Sequence, residues 1–313
     1  MQEMLRLNGY HPFRPAAWIR VTGEDAHSFL QSQFSNDLNG MEVGQVVYGL
    51  WLNHKGKVHG DSFVLRVGED EFRLMSYATP GQVIEDKLGA FIVADDVELV
   101  QETEQVAAIS FLFDGDADWF EAFAEKGDSG GRIKGVDGDL FIFPGRRHRG
   151  EGFDVVGKRA SIQGFLHQLG QGRFNGYQLG EEDLEAVRIL HRIPAIPKDI
   201  GSGELPQEGR LEDGAVSFSK GCYLGQEVMS RLHSMGQVKR HLVRVKADRE
   251  LPYGATIRSG SKKVGLVKSG INFRDHYLAL ALISRSVGAD VGLQVDTEGA
   301  QGRGEKGTEA QRH

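Results

Sequence analysis

The chain has 313 residues, a net charge of −7 and one cysteine, and 40% of its residues are hydrophobic. This length exceeds what one ordinary core holds, so we expect a globular protein of two or three domains. The acidic balance argues against a nucleic-acid partner, because phosphate binding needs clustered Lys and Arg, and one cysteine excludes an internal disulfide or a Cys-rich metal site.

The composition of the first residues does not predict a secretory signal. Residues 1–9 include an acid and lack an apolar core. No apolar run in the sequence approaches the roughly 18 residues that a membrane helix needs. Together with the lone cysteine, which fits a reducing compartment, these features predict a cytoplasmic protein with no membrane partner.

The first part of the chain predicts strands and helices in alternation. Residues 18–21 have strand character, and the capping pair Thr22 and Asp25 opens a helix. The strands that follow are predicted at residues 45–52, 57–67 and 72–76. A further helix begins at Thr79-Pro80. Meandering strands followed by a helix favour an α+β layer over a doubly wound sheet.

The same alternation continues to residue 192. Strands are predicted at residues 97–100, 106–113, 140–143 and 153–156, and helices at residues 119–126, 161–169 and 180–192. The last helix has acids in its first turn and bases in its last, and Pro194 ends it. The densest basic run, residues 146–149, follows a Pro-Gly pair and predicts a solvated loop or, as the alternative, an anion or partner site.

The stretch at residues 217–232 contains the lone cysteine, Cys222. Ser219 can cap a helix that begins at Tyr223, which would place Cys222 near a helix N-terminus. There the unpaired backbone N–H groups and the ammonium group of Lys220 would lower the pKa of the thiol and favour a reactive thiolate. The alternative is that Cys222 is a small buried hydrophobic residue.

Tyr223 and Glu227 are four residues apart and would share one face of that helix. An aromatic ring for stacking and a carboxylate for amino hydrogens suit a flat heterocycle such as a pterin. The alternative is that Glu227 pairs with Arg231 while Tyr223 packs in the core.

From Lys239 onward the sequence changes to short β runs. They lie at residues 242–245, 255–258, 263–268 and 277–283, and they predict a small separate barrel. The tail after residue 297 lacks an apolar anchor and is predicted to be disordered. The eleven histidines show no metal-ligand spacing, so no metal site is predicted.

Residues 220–227, Lys-Gly-Cys-Tyr-x-Gly-Gln-Glu, resemble the signature of the YgfZ family. These folate-binding proteins are related to the T-protein, the aminomethyltransferase of the glycine cleavage system, and are implicated in iron–sulfur cluster assembly or repair. The similarity extends from about residue 15 to about residue 290. It includes the segments at residues 21–38, 52–64, 205–208, 239–242 and 265–269.

This resemblance implies an α+β fold with three domains in a ring, tetrahydrofolate in a central channel and a C-terminal β-barrel. The first domain would be discontinuous, with the second inserted into it. We therefore expect the first domain at residues 1–44 and 145–234, the inserted α+β domain at 45–144, the barrel at 235–296 and the disordered tail at 297–313.

The resemblance also implies a function: a tetrahydrofolate-binding accessory protein for iron–sulfur cluster assembly or repair. Its cofactor would be tetrahydrofolate or a one-carbon derivative, and its partners iron–sulfur client or assembly proteins. Cys222 and Lys220 would be the catalytic pair. The folate-binding residues would be Glu208, Tyr223, Gln226, Glu227, Arg231 and Arg188. The alternatives are a folate-dependent one-carbon transferase acting on a small amine, and a non-catalytic folate-sensing module.

The sequence departs from the T-protein pattern at the key acid. The T-protein carries this acid as the first Asp of Gly-Gly-x-x-Asp-Asp, whereas this chain has Gly60 there, followed by Asp61. The pterin-reading acid of the T-protein also has no counterpart after Arg188. Aminomethyl transfer needs a carboxylate that steers the amine and the proton, so T-protein activity is disfavoured.

Overall fold

The computed structural model describes two compact units. The described residues are 7–114, 131–135, 138–169, 176–288, 293–296 and 308–312. The first unit comprises Met1–Leu52, His59–Gly180 and Gly214–Leu224, and the second comprises Asn53–Val58, Glu181–Asp213 and Gly225–His313. None of the described helices has the length and apolar character that a membrane crossing needs. The helix predicted at residues 119–126 lies outside the described residues.

The first unit contains a five-stranded sheet with both faces covered. Its strands are β2 (Ala17–Thr22), β3 (Val46–Leu52), β4 (Val58–Arg66), β5 (Glu71–Ser76) and β6 (Glu98–Gln101), in the order β3-β4-β5-β2-β6. Helices α1 (Ala26–Gln33) and α2 (Gly81–Gly89) cover one face. There Ile19 and Phe72 of the sheet share a buried cluster with Leu30 and Leu88 of the helices. Because β4 is covered on both sides, nearly all its residues are buried and its sequence shows no clean alternation.

A second sheet of the same unit covers the other face. Its strands are β1 (Asn8–Phe13), β7 (Val106–Phe113), β8 (Gly131–Gly135), β9 (Gly138–Pro144), β10 (Glu151–Lys158) and β11 (Tyr177–Gln178), in the order β11-β1-β7-β10-β9-β8. Trp18 and Phe63 share one buried cluster with Phe143 of this sheet. Helix α3 (Arg159–Gln168) packs Ile162 and Phe165 on the opposite side.

The second unit contains a closed barrel. Its strands are β12 (Arg240–Ala247), β13 (Thr256–Ser259), β14 (Lys262–Phe273), β15 (His276–Ser284), β16 (Leu293–Val295) and β17 (Thr308–Arg312), in the order β12-β15-β14-β13-β16-β17. Val245, Ile257 and Ala281 belong to its core. Helix α4 (Glu181–Leu190) packs Ile189 against Leu280. The remaining helices among the described residues are α5 (Glu212–Ala215), α6 (Gln226–Met235) and the 3-10 turns Thr103–Gln105 and Pro206–Glu208.

The α+β class is confirmed, but several strand pairings cross the predicted domain boundaries. Strand β2, from predicted residues 1–44, pairs with β5 from 45–144. Strand β10, from 145–234, pairs with β7 from 45–144. The boundaries at residues 44 and 144 therefore do not separate sheets, because a sequence shows where strands lie but not which strands pair. The three-domain ring stays a prediction.

The tail was predicted to be disordered, and this is wrong for residues 308–312. Strand β17 pairs with β12 on one side and with β16 on the other. Backbone hydrogen bonds to two strand edges order a segment that has no apolar anchor in its sequence, and such pairing is what closes a barrel. Residues 297–307 and 313 of the predicted tail lie outside the described residues.

Candidate functional site

Cys222 lies in a loop of the first unit and not at the start of a helix. Helix α6 begins after Gly225, which has a φ of 89°. This left-handed conformation favours glycine, and a Cβ there would lie 2.7 Å from the carbonyl oxygen of Asn53. The predictions that Ser219 caps the helix and that Tyr223 begins it are therefore wrong. Cys222 is exposed, which excludes the alternative of a buried hydrophobic residue.

Lys220 directs its ammonium group into the first unit. Nζ donates to the carbonyl oxygens of Gln31, Phe34 and Asn36 at 2.6, 2.7 and 2.8 Å. These bonds use the three N–H donors of an ammonium group. Burial lowers the pKa of Lys220 to about 8, so the charged form is present at neutral pH. The structure therefore gives the ammonium group of Lys220 a structural role, and its predicted catalytic role beside Cys222 stays a prediction.

Further hydrogen bonds hold the chain before Lys220 on the same turn, residues 31–36. Ser35 Oγ donates to the carbonyl oxygen of Ala215 at 2.6 Å, and Ser217 N donates to the carbonyl oxygen of Ser35 at 3.0 Å. Asn36 Nδ2 donates to the carbonyl oxygen of Gly214 at 3.1 Å. No pattern in the sequence indicated a role for Ser35 or Asn36, although both lie in the family-like segment 21–38.

Tyr223 is buried beside the exposed Cys222. Its ring centroid lies 5.2 Å from Nζ of Lys220, and the residue is 6% exposed. Its hydroxyl has no hydrogen-bond partner among the described residues, and burial raises the pKa of Tyr223 to about 12. A buried hydroxyl without a partner costs about 1–3 kcal/mol, which a ligand atom would recover.

Two of the predicted folate-binding residues, Glu208 and Arg188, lie in the second unit and bind protein groups. Glu208 is 4% exposed and accepts hydrogen bonds from Nε of Arg240 at 2.8 Å and from a backbone N–H of its own turn. Arg188 donates from Nε and Nη2 to Glu185 and from Nη1 to Asp199. Both side chains stabilise the second unit, so the structure gives no support to their predicted contact with folate.

The other predicted residues lie on α6 in the second unit. Gln226 is half-buried, whereas Glu227 and Arg231 are exposed. Glu227 is in the first turn, where the helix dipole favours an acid. Because Tyr223 precedes the helix, the predicted shared helical face of Tyr223 and Glu227 does not exist. Of the predicted site residues, the structure brings Lys220 and Tyr223 together with Cys222 in one loop of the first unit.

Gly60 stands where the T-protein has its key acid, and Thr79 fills the space that a side chain at residue 60 would need. A Cβ at Gly60 would lie 2.4 Å from Cγ2 of Thr79. The neighbouring Asp61 is buried and accepts hydrogen bonds from the hydroxyls of Thr79, Ser76 and Tyr48 at 2.7, 2.8 and 2.9 Å. Burial raises the pKa of Asp61. Position 60 therefore has no room for a carboxylate, and the adjacent carboxylate already has hydroxyl partners.

Several known proteins are similar to this chain. A family model described as "GCVT N-terminal domain" matches residues 14–112. The chain is 26% identical to an aminomethyltransferase of Clostridium botulinum over 278 residues, covering 80% of this chain and 70% of that protein. It is 22% identical to the tRNA-modifying protein YgfZ of Colwellia psychrerythraea over 242 residues, covering 75% of this chain and 70% of that protein.

A solved structure has a similar fold. The glycine cleavage system aminomethyltransferase T from Bartonella henselae matches with a TM-score of 0.78 and 17% identity, covering 98% of this chain and 86% of that chain. At this identity the likeness concerns the fold alone. The sequence matches confirm the resemblance that residues 220–227 and the accompanying segments predicted.

Proposed function

We propose, because this chain is a YgfZ-like member of the T-protein superfamily, that it binds tetrahydrofolate or a one-carbon derivative. The protein acts as an accessory factor for iron–sulfur cluster assembly or repair, and Cys222 is its reactive thiol. The observation that supports this best is the orphaned hydroxyl of buried Tyr223 beside the exposed Cys222. The Colwellia relative is a tRNA-modifying protein, so tRNA-modifying enzymes are among the candidate clients.

The residues of the loop have separate roles in this proposal. Lys220 holds the loop on the turn at residues 31–36 and so positions its neighbours. Tyr223 offers a ring and a hydroxyl to the pterin, and folate supplies a one-carbon group when bound. Cys222 presents its thiol to the solvent, where a partner protein or an electrophile has access. The folate contacts predicted for Gln226, Glu227 and Arg231, on helix α6 of the second unit, stay predictions.

The one-carbon transferase is the weaker candidate. Aminomethyl transfer needs a carboxylate that directs the amine and the proton. A side chain at Gly60 would collide with Thr79, and the hydroxyls of Ser76, Thr79 and Tyr48 already occupy the carboxylate of Asp61. Neither position offers an acid that a substrate amine can use without a rearrangement.

Calorimetric titration with tetrahydrofolate and with its formyl form tests the folate part of the proposal. Replacing Tyr223 with Phe removes the orphaned hydroxyl, and we expect the affinity to fall by about 2–10-fold, the effect of one lost hydrogen bond. Tyr253→Phe is the matched control, because Tyr253 is 60% exposed and should leave the affinity unchanged. The absence of heat with both ligands would remove the folate proposal.

A rescue experiment tests the thiol. We expect Cys222→Ser to bind folate like the wild type but to lose the ability to restore iron–sulfur enzyme activity in cells that lack the protein. Ser219→Ala, an exposed change in the same loop, should restore it fully. If Cys222→Ser restores activity as well as the wild type, the protein is a non-catalytic folate-sensing module. Turnover of a folate substrate by Cys222→Ala would instead support the transferase.

A further inference from the structure

The basic run at residues 146–149 is not the solvated loop that its sequence predicts. Arg146 and Arg147 are half-buried, and His148 is buried with Nε2 3.3 Å from a carboxylate oxygen of Asp114. Among these residues the solvated-loop prediction holds only for Arg149, which is exposed. The loop between β9 and β10 folds back over aromatic side chains of the first unit, and composition alone does not reveal such a contact.

The two arginines lie side by side on an aromatic surface. Cζ of Arg146 is 4.1 Å from the ring centroid of Tyr48, and Cζ of Arg147 is 4.2 Å from that of Tyr77. Both tyrosine rings contact the ring of Phe63, at centroid distances of 5.0 and 5.4 Å. The two guanidinium groups therefore stack on neighbouring rings of one continuous aromatic surface.

Buried hydrogen bonds fix this surface. The hydroxyl of Tyr77 donates to Asp154 and accepts the backbone N–H of Arg146 at 3.0 Å. Ser110 Oγ donates to Asp154 at 2.5 Å and accepts from Nε of Arg147 at 2.9 Å. Asp154 thus orients Tyr77 and Ser110, which contact Arg147 and the backbone of Arg146, while its own oxygens accept from the two hydroxyls.

Neither guanidinium group is in close contact with a carboxylate, and the buried Asp61 and Asp154 act on Arg146 and Arg147 only at longer range. Within the part of the chain that the structure describes, neither Arg146 nor Arg147 forms an ion pair with a carboxylate. Arg147 uses Nε for Ser110, which leaves its two Nη atoms. A half-buried arginine that forms no close ion pair has N–H donors that a bound anion can match.

We propose that Arg146 and Arg147 form a binding site for an oxyanion, a carboxylate or phosphate group carried by a small molecule. A ring that covers the face of a guanidinium leaves its N–H edge open, and that edge fits carboxylate and phosphate oxygens in pairs. Because the rings and Ser110 already restrict these side chains, binding costs little side-chain entropy. The site goes beyond the folate proposal and does not rest on it.

Titration of the full chain at low salt with inorganic phosphate and, separately, with glutarate tests this site. We expect Arg146→Gln and Arg147→Gln each to lower the affinity for the preferred probe by about tenfold. Arg147→Lys keeps the charge but loses the planar fork, so it should fall between wild type and Arg147→Gln. Arg149→Gln, in the same loop and exposed, is the matched control and should change the affinity by less than about twofold. The preferred probe distinguishes a phosphate from a carboxylate ligand.

Three results would overturn the proposal: no saturable binding of either probe, equal binding by the wild type and the Arg146→Gln/Arg147→Gln double variant, or an equal loss in Arg149→Gln. Thermal unfolding establishes whether each variant is folded. If Arg147→Gln does not fold, Arg146→Gln still decides the question, because the side chain of Arg146 packs on the ring of Tyr48 and takes no part in the hydrogen bonds of Ser110 and Asp154.

Discussion

Replacing Lys220 with methionine distinguishes a structural lysine from a thiol-activating one. The change removes the ammonium group and keeps an unbranched side chain. The carbonyl oxygens of Gln31, Phe34 and Asn36 then lose three hydrogen bonds of 2.6 to 2.8 Å. At about 1 kcal/mol net for each bond, we expect the free energy of unfolding to fall by about 3 kcal/mol.

Two measurements are needed. Denaturant unfolding at pH 7 gives the free energy, and the rate of Cys222 labelling by a thiol reagent is followed against pH. We expect the labelling midpoint to be the same in Lys220→Met and in the wild type, because the ammonium makes its hydrogen bonds elsewhere. Lys220→Arg should not restore stability, since a planar fork does not direct three donors from one nitrogen.

The control is Lys239→Met, because Lys239 is exposed and its replacement should change the free energy of unfolding by less than about 0.5 kcal/mol. The structural role of Lys220 is refuted if Lys220→Met unfolds with the wild-type free energy and its labelling midpoint moves to higher pH.

Three further predictions follow from the same contacts. The pKa of Lys220 in the folded chain is about 8, below the ordinary 10.5, so the unfolded chain binds more protons between these values. The free energy of unfolding of the wild type should therefore rise relative to that of Lys220→Met as the pH increases from 8 to 10. The control Lys239→Met should show the same rise as the wild type. If the difference in free energy between the wild type and Lys220→Met does not change with pH, the lowered pKa is wrong. Tyr223→Phe removes a buried hydroxyl that has no partner. Without folate, the free energy of unfolding should therefore stay the same or rise by up to about 1 kcal/mol. A loss of several kcal/mol in denaturant unfolding would mean that the hydroxyl is hydrogen-bonded. Gly60→Ala should destabilise by about 1–3 kcal/mol because its Cβ meets Cγ2 of Thr79, and adding Thr79→Ser, which removes that methyl, should recover part of the loss; thermal melts of the single and double variants decide this.

The sequence alone determined the elements that local signals specify. The strand at Ala17–Thr22 and the barrel strand at Arg240–Ala247 agree with the predicted β runs to within a few residues. Helix Glu181–Leu190 begins with acids and ends before Pro194, as its termini predict. Strand periodicity, helix caps and breakers act between residues close in the chain, so they can be read without a fold. The segment at residues 220–227 likewise indicated the resemblance to the YgfZ family, because its residues are contiguous.

The tertiary structure decided what depends on contacts between distant parts of the chain. The carbonyl partners of Lys220 are 184 to 189 residues away, so no spacing in the sequence could show that its ammonium is a clamp. The same holds for the strand pairings across the predicted boundaries and for the contact with Thr79 that prevents a side chain at Gly60. It also holds for the packing of Arg146 and Arg147 on aromatic rings. Hydrogen bonds, close contacts and ring stacking depend on positions in space, and folding alone brings these groups together.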